Sequence, residues 1–163
     1  MTANGDELRV CAAELLARLP GRAQAGDALT EQDWTQTRRA AAALFERFQR
    51  LGSRGDPLDL EQSHKLASIG YLHAGPSGRE QFVPLLVSVV LVRSRYDSDP
   101  RRRAAVAGMA RRLCQNYLAI GDEVSRRRVT EVARLWEQCA IIAGAGAEAD
   151  EARSMAATAA RAS

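Results

Sequence analysis

The chain has 163 residues, 46% of them apolar and 26% charged, enough for one buried core without disulfide or metal staples and too apolar for intrinsic disorder. Aromatics are only 5% and Ala, Leu, Arg, Glu and Gln dominate, a mixture that loses little rotamer freedom in helices and predicts an all-α protein. The formal charge is +3, and Lys65 is the only lysine beside 22 arginines, so any anion-binding surface would be built from guanidinium groups.

The stretch Met1 to Gly5 lacks the basic-then-apolar pattern of a secretory leader, and no apolar run approaches the roughly 20 residues that cross a bilayer. Cys11, Cys114 and Cys139 form an odd set without CxxC spacing, on positions where helices turn apolar faces inward. They read as reduced core residues of a cytoplasmic protein with no membrane contact.

In chain order, Asp6 is expected to cap a first helix carrying Leu8, Ala12, Leu15, Leu16 and Leu19, ended by Pro20 and Gly21. A loop from Arg22 to Leu29 follows. Thr30 caps a second helix with Trp34, Ala41, Leu44, Phe45, Phe48 and Leu51 on one side and Gly52 after its end. Asp56-Pro57 starts a third helix, the aspartate capping and the proline taking the first helical position, which runs to about Gly70 or His73. Ser77 and Glu80 fit a capping box for a fourth helix, in which Phe82 to Val92 is expected to be central and buried all round, with a kink or late start near Pro84.

Asp99-Pro100 repeats the start signal for a fifth helix with the stripe Val106, Met109, Leu113, Tyr117 and Ile120, ending at Gly121. The sixth runs from about Glu123 to Ala143 with Val124, Val132, Leu135, Trp136, Cys139 and Ile142 inward and Gly144 as its stop. These elements predict one compact helical bundle domain over residues 1–144, about six helices in antiparallel αα-hairpins. Residues 145–163, alanine-rich, are expected to be a loosely held last helix or tail.

Signals for catalysis are sparse. The histidines are His64 and His73, read as surface or helix-end residues, and no HExxH, CxxC, phosphate loop or GxSxG pattern occurs. Glu148, Asp150 and Glu151 read as a solvated charge run. Trp34 and Trp136 fall on apolar faces and read as core anchors, not as a base-stacking platform. The expectation is a non-enzymatic protein without metal or cofactor.

The arginine distribution departs from this plain picture. Between Arg93 and Arg128 stand ten arginines against four acids, Asp97, Asp99, Asp122 and Glu123, a local net of +6. Arg101, Arg102 and Arg103 fill the first turn of the fifth helix, Arg111 and Arg112 lie further along it, and Arg126, Arg127 and Arg128 come early in the sixth. Cations at a helix N-terminus oppose the macrodipole, whereas guanidinium groups beside free N–H groups suit phosphate or carboxylate. These eight are the candidate nucleic-acid-binding residues, expected in one surface band with Arg102 near the core edge. Pairing with acids, such as Arg127 with Glu131, is the competing reading.

Leu29-Thr30 leading into a helix with Arg38-Arg39, then Lys65-Leu66-Ala67, an apolar helix, and Tyr117 shortly before Gly121 looks something like the small helical subunits of type III CRISPR effector complexes. The likeness covers about residues 29 to 121, is carried by common residues at helical spacing, and includes no catalytic motif. It implies RNA-backbone contact within a multi-subunit filament. Two functions are therefore expected: a subunit of a larger assembly whose arginine band contacts nucleic-acid backbone, RNA rather than DNA, or a helical adaptor or self-associating module meeting an acidic protein surface.

Overall fold

A computed structural model describes residues 5–24 and 29–162. The amino-terminal residues 1–4 and the middle of the predicted loop, 25–28, lie outside the described residues. The protein is all-α: among the described residues there are seven α-helices, Gly5–Gln24 (α1), Glu31–Leu51 (α2), Pro57–His73 (α3), Gly75–Tyr96 (α4), Pro100–Ile120 (α5), Glu123–Ile142 (α6) and Gly146–Arg161 (α7), with one 3-10 turn, Gly52–Arg54, after α2. No strand occurs among the described residues. The chain divides into two compact units, Met1–Val89 and Val90–Ser163, with α4 contributing to both.

Four helix starts follow from one local device, a side-chain oxygen taking an orphan N–H. Thr30 forms a full capping box with Asp33, Asp56 accepts from Leu58 N at 2.9 Å, Asp99 from Arg101 N at 2.9 Å, and Asp122 from Ser125 N at 2.7 Å. Each such cap stabilises a helix by about 1 kcal/mol.

Other boundaries differ from expectation. α1 passes through Pro20 to Gln24, and Asp6 lies inside its first turn instead of capping it. The final turn is held from outside: Arg18 and Arg22 reach Asp33 of α2 at 3.5 and 3.7 Å. The Ser77–Glu80 capping box is not the start of α4, because Gly75, at φ 76°, ends α3 and begins α4 at once. Pro76 then takes the first turn, where a missing N–H costs nothing.

The first unit's core joins Ala12, Leu15 and Leu19 of α1 to Ala40, Ala41 and Leu44 of α2 and Leu66 of α3. Within this core side the chain buries a charge. Asp59 has no exposed surface, and its carboxylate takes Arg9 Nε of α1 at 2.8 Å and Arg47 Nε of α2 at 3.4 Å. Arg9 also reaches Asp56 at 2.7 Å, so the α3 cap and the buried ion pair share a guanidinium. The hydrogen bond that Arg9 donates to Asp59 raises the Arg9 pKa further. Ser63 adds a buried tie by donating to the Ala41 carbonyl at 2.7 Å.

Close approach of α3 and α4 rests on a missing side chain. A Cβ on Gly70 would lie 2.3 Å from the Phe82 ring, and Phe82 in turn meets Trp34 edge to face, with centroids 6.3 Å apart. The run from Phe82 is helical but buried on one side only: Phe82, Val83, Leu86 and Val89 are inside, whereas Pro84 and Ser88 are exposed. Placing the proline and serine outward leaves water to hydrate the backbone opened by Pro84. His64, expected near the surface, is buried.

In the second unit α6 packs against both α5 and α7. Trp136 and Tyr117 are its largest fully buried side chains, with Val106, Val129 and Val132. Helix α7 buries Ala149, Ala152 and Ala156, small residues that let two helix axes approach closely. Of the acids expected to be solvated, Asp150 and Glu151 are exposed, the first meeting Arg153 at 3.0 Å and the second Arg111 at 3.8 Å, whereas half-buried Glu148 accepts from the Trp136 indole N–H at 3.2 Å. Val124 and Ile120, assigned to inward stripes, are exposed, and Ile142 is half-buried. All three sit at helix ends, where a stripe has no further turn of a neighbour to meet.

Three measurements check this description. Asp59→Ala strands Arg47 and leaves Arg9 with Asp56 alone, and thermal unfolding is expected to reveal a loss of about 3 kcal/mol, moderated by partial access to water, while Glu61→Ala costs almost nothing. Gly70→Ala gains about 1 kcal/mol of helix propensity, yet unfolds at a lower temperature because the Phe82 ring must move. Asp33 is held below the ordinary carboxylate range, first by the Thr30 N–H and then by its hydroxyl. Its contribution is therefore complete above the unfolded pKa near 4 and is lost as pH falls through the lower folded value. Asp33→Asn should flatten the acid limb of a stability–pH curve.

Candidate functional site

The structure breaks the eight candidate arginines into members with different employment. At the start of α5, Arg101 is exposed. Arg102 is also exposed, 72% by side chain, and lies 3.6 Å from Asp97 and 3.9 Å from Asp99. The core-edge position expected for Arg102 belongs to Arg103, half-buried and donating through Nε to the Asp97 carbonyl. The Asp97–Asp99 loop thus supplies anions that offset the cationic first turn, which explains how α5 tolerates three arginines against its dipole.

Arg111 turns inward over Trp136, its guanidinium carbon 5.5 Å from the ring centroid, and meets Glu151 of α7. It serves packing between α5, α6 and α7. Arg112 is exposed. On α6, Arg127 pairs with Glu123, one turn back, instead of with Glu131, and Glu131 takes Arg128 at 2.7 Å. A preceding Glu is the better-oriented partner on a helix, which accounts for the exchange. Arg126 is exposed beside Asp122. The Ser125 N–H, and after it the Ser125 hydroxyl and nearby Arg126, hold the Asp122 carboxyl below its usual range.

Arg101 and Arg112 have no acid within ion-pair distance among the described residues. Exposed pairs such as Arg127–Glu123 contribute only about 0–1 kcal/mol, so an incoming phosphate could displace them; the turned-in Arg111 is a different case. The second unit as a whole carries thirteen arginines against nine carboxylates, a net of +4, because beyond Arg128 five acids, Glu131, Glu137, Glu148, Asp150 and Glu151, outnumber three arginines.

Two features of this unit escaped sequence reasoning. Leu118, Ile120 and Val124 are 46%, 43% and 53% exposed, three large apolar residues within seven positions around the α5–α6 turn. Beside them, α5, α6 and α7 enclose a groove of about 520 Å³ with walls from Leu118, Val129, Met155 and Ala159, and with Arg126 and Glu151 on it. Ile120 and Val124 were hidden because each lies on its helix's apolar stripe, and Leu118 because it stands beside that stripe; the groove was hidden because α7 contributes alanines and threonine, which carry little pattern.

Burial pushes the Cys114 and Cys139 thiols up to about 11. Cys114 lies 3.2 Å from the Met155 sulfur. Cys11, Cys114 and Cys139 are all free thiols. Among the described residues no group of three or more His, Cys, Asp or Glu is arranged to hold a metal ion, and no helix is long and apolar enough to cross a membrane. Compared with models of known families, with curated proteins and with solved structures, the chain matches none.

With their thiols neutral at pH 7, Cys114 and Cys139 are expected to resist a thiol-specific disulfide reagent in the native protein. Half-buried Cys11 reacts first, and all three react in denaturant. Rapid native labelling of either buried thiol, read by mass spectrometry, would contradict the packing described for α5 and α6.

Proposed function

We propose that this chain is a non-catalytic helical subunit of a larger assembly, docking on a protein partner through the apolar corner where α5 turns into α6. The observation that supports this reading is the exposure of Leu118, Ile120 and Val124 together at one turn. Exposed apolar side chains of this size near one turn suit an interaction face, and Arg126, Arg127 and Glu123, exposed and close by in the sequence, are the residue types a polar rim uses. The three free cysteines fit a reducing, cytoplasmic compartment. Connections of two residues between α5 and α6 and three between α6 and α7 support reading this unit as successive antiparallel αα-hairpins.

A second reading, contact with RNA backbone, is favoured by a specific observation: Arg101 and Arg112 are exposed without an acid partner among the described residues. It ranks second because Arg102, Arg111, Arg127 and Arg128 already have acids.

Light scattering and RNA titration on the same variants separate the two. Under the docking reading, Ile120→Ser with Val124→Ser abolishes self-association or co-purification of the stoichiometric partner, while thermal stability changes by less than about 0.5 kcal/mol, as for other surface changes. Under the RNA reading, about four phosphate contacts give a log-affinity against log-salt slope near −3, and Arg101→Glu with Arg112→Glu removes the binding. A protein that remains a partner-free monomer and ignores RNA at low salt refutes both.

A further inference from the structure

We infer that the groove between α5, α6 and α7 is a binding site for an aliphatic monocarboxylate, its head group held by Arg126 and its chain lying along α7. This inference shares Leu118 and Arg126 with the docking reading above but does not rest on it. The groove's volume, about 520 Å³, falls in the 300–1,000 Å³ range of small-molecule sites.

Register along the helices gives the groove a direction. Arg111 of α5 meets Glu151 of α7, and one turn on Cys114 meets Met155, so the two helices advance together. The next step brings Leu118 to the neighbourhood of Thr158 and Ala159, all of which line the groove. Arg126 belongs to this same end, since α6 begins just beyond the turn that follows α5.

The two charged residues therefore occupy opposite ends and are not equivalent. Glu151 lies 3.8 Å from Arg111, whereas Arg126 has no acid within ion-pair distance among the described residues, with Asp122 nearby. Between the ends the surface is apolar, and the one hydroxyl-bearing turn closes on itself, Thr158 donating to the Ser154 carbonyl at 2.9 Å. From Glu151 to Ala162 the α7 stripe spans about 16 Å at 1.5 Å per residue, the reach of a dodecyl chain. A cation at one end of a neutral apolar trough selects an amphiphile with a single negative head, and a guanidinium takes a carboxylate through two parallel hydrogen bonds.

Isothermal titration calorimetry of the whole chain with sodium dodecanoate below its micelle concentration tests the site, with dodecyltrimethylammonium as the charge-reversed probe. Saturable one-to-one binding of dodecanoate is expected, at least tenfold tighter than the cationic probe. Arg126→Gln, an exposed change that leaves the fold intact, should abolish that preference while keeping weak binding of both. Ala159→Phe fills the trough and should eliminate binding; Ile141→Ser, an exposed change outside the groove, should not. Equal affinity for both probes, binding indifferent to Ala159→Phe, or a dimer in which a second copy fills the groove and dodecanoate does not bind would each overturn the assignment. Ile120→Ser with Val124→Ser leaves dodecanoate binding unchanged, so failure of the docking reading and failure of this one are distinguishable.

Discussion

A carboxylate without water is the constraint around which the first unit is organised. Asp59 is fully buried, and a bare charge there would cost several kilocalories per mole. It persists because α1 and α2 each deliver a guanidinium to it. The pair is not efficient glue compared with apolar packing of the same volume. Its consequence is specificity: only one rotation of α1 about its axis brings Arg9 to Asp59 and Asp56 while also burying Ala12, Leu15 and Leu19. Ionic and apolar contacts thus demand the same register, and three amphipathic helices that could slide against one another are fixed.

The second unit solves its packing differently. Its charge is concentrated on α5 and α6, and α7 supplies both the small residues that permit close contact and the acids that balance part of the charge. Arg111 illustrates the coupling, because one side chain covers Trp136, meets Glu151 and joins three helices. Employment of this kind removes an arginine from the population free to bind ligands. It leaves Arg101, Arg112 and Arg126 as the band members with the most available charge, distributed over the start of α5, its middle and the first turn of α6.

This distribution replaces a uniform basic band with distinct local sites. Three exposed apolar residues at the α5–α6 corner and an apolar trough ending at Arg126 are chemically unlike each other, and a flat phosphate-binding face needs neither. Their proximity at one end of the unit makes Arg126 a shared border between a rim and a head-group site.

What the sequence determined was local. Thr30, Asp56 and Asp99 announced helix starts, and Gly52, Gly121 and Gly144 announced ends, because caps and stops depend on residues within a turn of one another. The all-α class followed from composition and the 3.6-residue stripes. Only tertiary structure decided which polar residues lie on those stripes for a reason: Asp59 shares a face with Ser63, Leu66 and Gly70, a signal present in the spacing but meaningless until Arg9 and Arg47 arrive from helices about 50 and 12 positions away. It also decided the fate of α7, whose alanines carry no hydropathic contrast yet bury against α6, and of Ile120 and Val124, which follow the stripe but outrun their neighbours. Pairing over long sequence separation is set by the geometry of whole helices, and no window of residues contains it.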